Sequence, residues 1–262
     1  MNRYVRLLGI FYKNTLINEL EYRVNFWPNV GMSLFWLAWA ALSVRIYFFH
    51  TDSIAGWTYY ELLIVLGLFF TLNGFRQMVL QPNLSRLSEY VRLGTLDYML
   101  TKPVSSQFMV SLRNIGVFNW SDPLLGLGLV AFSLGQLGYA PGPSQLITFA
   151  VLLVAGMVML YSLSLILQTL TIWLVNVQEI DAIIEGVLET GRFPVSFYRG
   201  WLSVALTAFI PIAFMTTFPA QALMGRLDPA LIWISLLFTV GLFVVASTFW
   251  RFALRFYTGA SS

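Results

Sequence analysis

PNLSRLSEYVRLGTLDYMLTKP, residues 82–103, is a polar, helix-patterned stretch set between long apolar segments. Leu84, Leu87 and Val91 recur at helical spacing while Arg86, Glu89 and Arg92 fall elsewhere on the wheel, which predicts a short amphipathic helix. Gly94 supplies the left-handed position that ends a helix. Thr95 is placed to cap a second helix, whose first turn holds Asp97 near the positive end of the dipole and which Lys102 and Pro103 close. The expected form is helix, Gly-Thr break, helix, lying outside the bilayer between two spans. Taken alone, the same pattern also fits an ordinary loop helix resting on lipid headgroups.

The rest of the chain fixes that setting. Of the 262 residues 58% are hydrophobic and only 10% charged, and the mean hydropathy is +0.74, values that mark an integral membrane protein. Several apolar segments of about 20 residues give room for about six membrane helices and little else. The net charge of +3 is no nucleic-acid footprint, because the basic residues cluster beside the spans. There are no cysteines, so disulfides and thiolate metal sites are excluded; the single histidine, His50, lies at the end of a span and lacks the companions a metal site needs.

Residues 3–25 mix Tyr4, Leu7, Leu8, Phe11, Leu16 and Leu20 with Arg3, Arg6, Lys13, Glu19 and Arg23, a pattern suited to a helix in the membrane interface. Phe26–Phe49 reads as the first span and Tyr59–Leu80 as the second, with Glu61 near one end, Arg76 near the other and the packing glycine Gly74 inside. Phe108–Leu134 is an uneven third span, interrupted by Arg113, Asn114, Asn119, Asp122 and Pro123. Either the span extends out of the bilayer as far as Asp122, or the helix breaks at Pro123. Gly135–Ser144 is a turn and Leu146–Val175 the fourth span. Asp181, Glu185 and Glu189 follow at four-residue spacing, on one helical face. Ala230–Phe252 is the last span.

Glu89–Pro103 resembles the motif after the second span of type-2 ABC exporter permeases, with Arg92, Gly94, Thr95, Leu96, Asp97 and Pro103 carrying the likeness. Arg192–Tyr198 (RFPVSFY), Pro211–Phe214 (PIAF) and Phe218–Ala220 (FPA) support it over nearly the whole chain. The resemblance implies an all-α permease domain over residues 1–262, with six spans, an interfacial N-terminal helix, a coupling region at 82–103 and a re-entrant hairpin at 198–226. It further implies that Glu89, Arg92, Gly94, Thr95, Leu96 and Asp97 dock on a separate ABC ATPase, and that Phe209, Pro211, Phe214, Phe218 and Pro219 form an outer gate or pathway. The same resemblance implies that a second permease subunit completes the pathway, that ATP and Mg belong to the ATPase, and that both termini face the cytoplasm from the inner (plasma) membrane.

Hydropathy alone gives a different reading of one region, with 176–199 a cytoplasmic loop and Trp201–Leu223 a plain span. The resemblance instead makes Ile180 to about Phe197 the fifth helix and explains Pro211 and Pro219 as parts of a hairpin. Both readings leave six crossings.

No glycine-rich phosphate loop exists, since Lys13 and Lys102 are the only lysines and neither follows one. His-Glu-x-x-His and Gly-x-Ser-x-Gly are absent too. The rival readings are a lipid-modifying enzyme or a proton-coupled transporter, using Asp122, Glu185 or Glu189 as acid, base or relay.

Overall fold

A computed structural model describes residues 3–20, 26–174 and 180–257, and among these the regular structure is helical. Four helical runs are long and apolar enough to cross a membrane: Phe26–Tyr47, Tyr59–Arg92, Pro143–Ile172 and Pro229–Ala253. A fifth crossing is available if the pair Trp201–Ala208 and Ala213–Leu223, bent by 70°, counts as one.

Helix α1 (Arg3–Leu20) turns Leu7, Leu8, Phe11 and Tyr12 toward the protein and Arg3, Arg6 and Lys13 outward. Tyr4 meets the Phe108 ring edge-on at 4.9 Å. Residues 21–25, the end of the expected interfacial helix, lie outside the described residues. Helix α2 (Phe26–Tyr47) buries only Ala40 and Val44, and Trp27, Trp36 and Trp39 stay exposed. Its Arg45 sits over the Tyr59 ring at 4.9 Å.

Helix α3 (Tyr59–Phe75) is the axis of the fold. It is apolar all round, and a helix of that kind belongs in a core; Leu62–Leu72 is buried on every side. At its start Glu61 accepts from the Thr58 N–H (2.9 Å) and pairs with Arg226 (2.5 Å). A π-helical turn, Arg76–Leu80, interrupts the run before the short helices α4 (Gln81–Leu84), α5 (Leu87–Arg92), α6 (Leu96–Leu100) and α7 (Ser106–Leu112).

The expected third span is not one helix. α7 ends at Leu112, the chain opens at Arg113–Gly116, and after a 3-10 turn helix α8 (Ser121–Gln136) begins. The helix break precedes Pro123 instead of falling on it, and Pro123 lies in the first turn of α8, where its missing N–H leaves no intrahelical bond unmade. α8 packs along α3 backbone to backbone. A Cβ on Gly67 would stand 2.6 Å from the Gly126 carbonyl, one on Gly126 2.5 Å from the Gly67 carbonyl, and one on Gly74 2.2 Å from Pro123. Gly74 is thus the packing glycine its sequence context suggests.

Helix α9 (Pro143–Thr169) pairs with α13 (Pro229–Ala253) and with the arm between them. Helix α10 (Ile180–Glu189) buries Ile180, Ile184 and Leu188 and continues as a 3-10 turn only to Arg192, short of the expected Phe197. Phe193 precedes Pro194 and is extended (φ −118°, ψ 147°), the conformation a following proline favours. Helix α11 (Trp201–Ala208) is mostly half-buried, with Trp201, Val204 and Ala208 exposed. Beyond the bend, a second π turn (Ala213–Thr217) and α12 (Phe218–Leu223) are buried throughout Pro211–Ala220. α10 is helical where the hydropathy reading expects a loop, and the 70° bend interrupts Trp201–Leu223, a geometry that suits a broken span or a re-entrant hairpin.

Candidate functional site

The segment from Arg76 to Trp120 forms an elbow between α3 and α8, and the π turn is what fastens it. A π turn offsets the backbone ladder by one residue and so releases carbonyls from helical bonding. Three carbonyls of this turn accept from outside the backbone ladder: Met78 from the Gly116 N–H (2.7 Å), Gln77 from the Asn119 amide (3.2 Å) and Val79 from the Asn83 amide (2.7 Å). Asn83 also trades two bonds with the backbone of Asn114, accepting from its N–H and donating to its carbonyl, each at 2.8 Å. The polar interruption at Arg113–Asn119 is therefore a joint, held against the end of α3.

On the other side, the elbow is tied to α9 and α10. Asp181 accepts from the Ser85 hydroxyl (2.8 Å) and the Gln168 amide (3.0 Å). Buried Arg76 reaches Asn73 Oδ1 (3.3 Å) and the Glu185 carboxylate (3.4 Å). Pairing of this kind is what a buried guanidinium requires. In the sequence Asp181 and Glu185 stand out by their spacing, but their partners do not. Ser85, Asn83 and Gln168 are polar residues at buried or half-buried positions, and that was the one signal available for them.

The elbow itself has a buried underside and an open tip. Leu84, Leu87, Leu96 and Met99 face inward. Gly94 takes φ +67°, the left-handed turn expected of it. Thr95 does not cap α6: its backbone is helical and its side chain makes no capping bond. Glu89 and Arg92 are exposed, as are Leu93 (56%), Tyr98 (73%) and Leu100. A cleft of about 450 Å³ runs beside them, lined by Arg86, Glu89, Tyr90, Lys102 and Arg113 among others. Asp97 is half-buried and neighbours Tyr257 beyond α13; burial first, and then this carboxylate, hold the Tyr257 phenol above the usual tyrosine range. Tyr257 Oη makes no hydrogen bond to the described residues, so the two are neighbours and not a bonded pair.

The remaining expected site residues lie at the other end of the fold. Phe209 is 80% exposed at the bend after α11. Pro211, Phe214, Phe218 and Pro219 are buried within the chain: Phe214 stacks on Phe238 of α13 (5.2 Å) and meets Phe218 edge-on (4.9 Å). The carboxylates considered as a relay are not gathered. Asp122 accepts from Gln77 (3.2 Å) with its other oxygen unpartnered, whereas Glu185 pairs with Arg76 and Glu189 with Arg192, whose guanidinium also covers Phe69 at 4.9 Å.

A family model described as "ABC-2 family transporter protein" matches residues 34–261, which takes in most of α2, the elbow and every later helix, and leaves out α1. The chain belongs to the ABC-2 transporter family. This ABC-2 chain is accordingly a multi-pass membrane permease, a transport component and not itself the catalytic one, and its family implies an ABC ATPase as partner. No curated protein and no solved structure matches it.

Proposed function

We propose that this ABC-2 permease is half of an ATP-driven exporter, moved through the elbow by a separate ATPase that binds ATP and Mg. The observation that carries the reading is the elbow's two-sided build. Its tip offers Leu93, Tyr98 and Leu100 rimmed by Glu89 and Arg92, while its base is bonded to α3 through Arg76 and Asn73, to α8 through Gln77 and Asp122, and to α9 and α10 through Gln168 and Asp181. A push on the tip reaches four membrane helices through short polar contacts instead of being absorbed in a loop. Gly94, Thr95 and Leu96 shape the tip; Asp97, half-buried beside Tyr257, positions α6 more than it meets the partner.

Six crossings fit this role, with α2, α3, α8, α9, the run from Ile180 to Phe197, and α13 as the spans. The positive-inside bias of Arg86, Arg92, Lys102, Arg251 and Arg255 supports an elbow and termini in the cytoplasm, with the cell's inner membrane as the proposed setting. The α10 face bearing Ala182, Glu185 and Gly186 is small and exposed, with Glu185 held by Arg76 and half-buried Glu189 by Arg192 at its end. Ionisable groups level with the apolar core face a bundle interior or a water-filled path. We assign this face to the translocation path, shared with a second permease subunit. Phe209 at the bend closes the outer end, on a rigid base of Pro211, Phe214, Phe218 and Pro219.

The test is co-purification and transport. The wild-type chain should bring down an ABC ATPase, and Leu93→Asp with Tyr98→Asp should release it while the permease still elutes as a folded particle. Transport continuing without any nucleotide-hydrolysing partner would overturn the reading.

A further inference from the structure

A large cavity, about 710 Å³, lies away from both the elbow tip and the α10 face, lined by the π turn after α3 and by α7, α9 and α13. That size is within the range of small-molecule sites. Its walls are mainly apolar, with Phe75, Leu112, Val154, Met157 and Phe243 among them. One wall is polar and organised. Gln107 donates to the hydroxyls of Tyr161 and Ser247, each at 3.0 Å, and Ser111 shares a 2.9 Å hydrogen bond with Tyr161. Ser247 donates to no described residue, and of Ser111 and Tyr161 only one can donate in their shared bond, so two hydroxyl protons stay free for an acceptor in the cavity.

Arg251 stands at the mouth, four residues beyond Ser247 on α13, which places its cation about 6 Å further along the helix. Its Nε donates to the Ser247 carbonyl (3.2 Å) and no described carboxylate pairs with it. The mouth also includes exposed Ser105, while Val154 and Phe243 are exposed along the apolar flank. Thus the cavity opens sideways along the flanks of the membrane helices and ends at headgroup level in a single cation. An occupant must be apolar along most of its length, carry hydrogen-bond acceptors at the depth of the hydroxyls, and bear a negative charge one helical turn further out. Basic pockets between membrane helices recognise anionic lipid headgroups by this chemistry.

We propose that the cavity is a binding site for an anionic diacyl phospholipid of the leaflet at the Arg251 end, with one acyl chain inside, an ester carbonyl at the Ser111, Tyr161 and Ser247 hydroxyls, and the phosphate at Arg251. The site stands on the geometry of this chain and is independent of the ATPase reading.

Phosphatidylglycerol with a photoreactive diazirine on one acyl chain, in nanodiscs holding the full-length chain without nucleotide, tests it. Adducts should concentrate on α7, α9 and α13, and phosphatidylglycerol should out-label an equally tagged phosphatidylcholine by about fivefold, the preference one interfacial arginine supplies. Arg251→Gln should abolish that preference. Met157→Trp, or Val154→Trp at the rim should the first variant not fold, should remove the cavity adducts while labelling of the exposed face of α2 persists. Adducts spread evenly over the lipid-facing helices, unchanged by filling the cavity, or equal for the two lipids overturn the proposal. Because no ATPase is present, failure of partner docking leaves these results untouched.

Discussion

Asn83 and Asn114 hold each other as a strand pair would, side-chain amide against backbone amide, with one bond in each direction at 2.8 Å. The pair closes the break in the third span against the end of α3, and it makes the elbow a bonded corner.

Asn83→Leu should therefore loosen the corner. It leaves the Asn114 N–H and carbonyl and the Val79 carbonyl without their partner, at about 1–3 kcal/mol for each buried group left unpaired. A clear fall in melting temperature in detergent is expected, with Asn83→Asp intermediate because it keeps the acceptor. An unchanged melting temperature for Asn83→Leu would remove the joint from the account.

The α3 and α8 backbones leave no room between Gly67 and Gly126, where an added Cβ would stand 2.5–2.6 Å from the opposite carbonyl. Gly126→Ala should destabilise the chain by about 1–3 kcal/mol, the usual cost of overpacking. Gly128→Ala, two residues on, meets nothing within 4 Å and should be silent. Equal thermal shifts in the two variants would contradict the close approach.

Gly94 holds φ +67° at the elbow tip, a conformation proline cannot adopt and alanine adopts at about 1–2 kcal/mol. In a reconstituted complex Gly94→Pro should separate ATP hydrolysis from transport while the permease still inserts; Gly94→Ala should do so weakly. Fully coupled transport by Gly94→Pro would detach the elbow from the coupling role proposed for it.

Glu61, 4% exposed, meets Arg226 across the loop that follows α12. Arg226→Glu places a second carboxylate against it and should lower stability, and the double exchange Glu61→Arg with Arg226→Glu should restore part of the loss. A double-mutant cycle with no coupling would show that the contact does not pin the loop.

Apolar runs, basic clusters and the Gly94 turn were readable in the sequence because each is a local pattern with a local cause. The motif likeness located the elbow and favoured a helix beginning at Ile180 over a loop. The third span was misread because its polar residues look like defects in a helix; their purpose exists only opposite the carbonyls released by the π turn, and π turns leave no periodic signature. Thr95 was assigned a cap from its residue type, but the Gly94 turn delivers it already helical. The aromatic residues after Pro211 have the same composition whether they line a path or fill a core. Only the 70° bend, which folds Phe214 onto Phe238, decides that they are packed inside.

A single additional residue in the Arg76–Leu80 turn sets the compass bearing of everything that follows. Each helical residue advances the chain by about 100° around its axis, so removing one residue there would swing Leu84 and Leu87 toward solvent and carry the tip to a different side of the subunit. Substitutions along this stretch are open to drift, whereas a change in its length would aim the whole lever at the wrong neighbour.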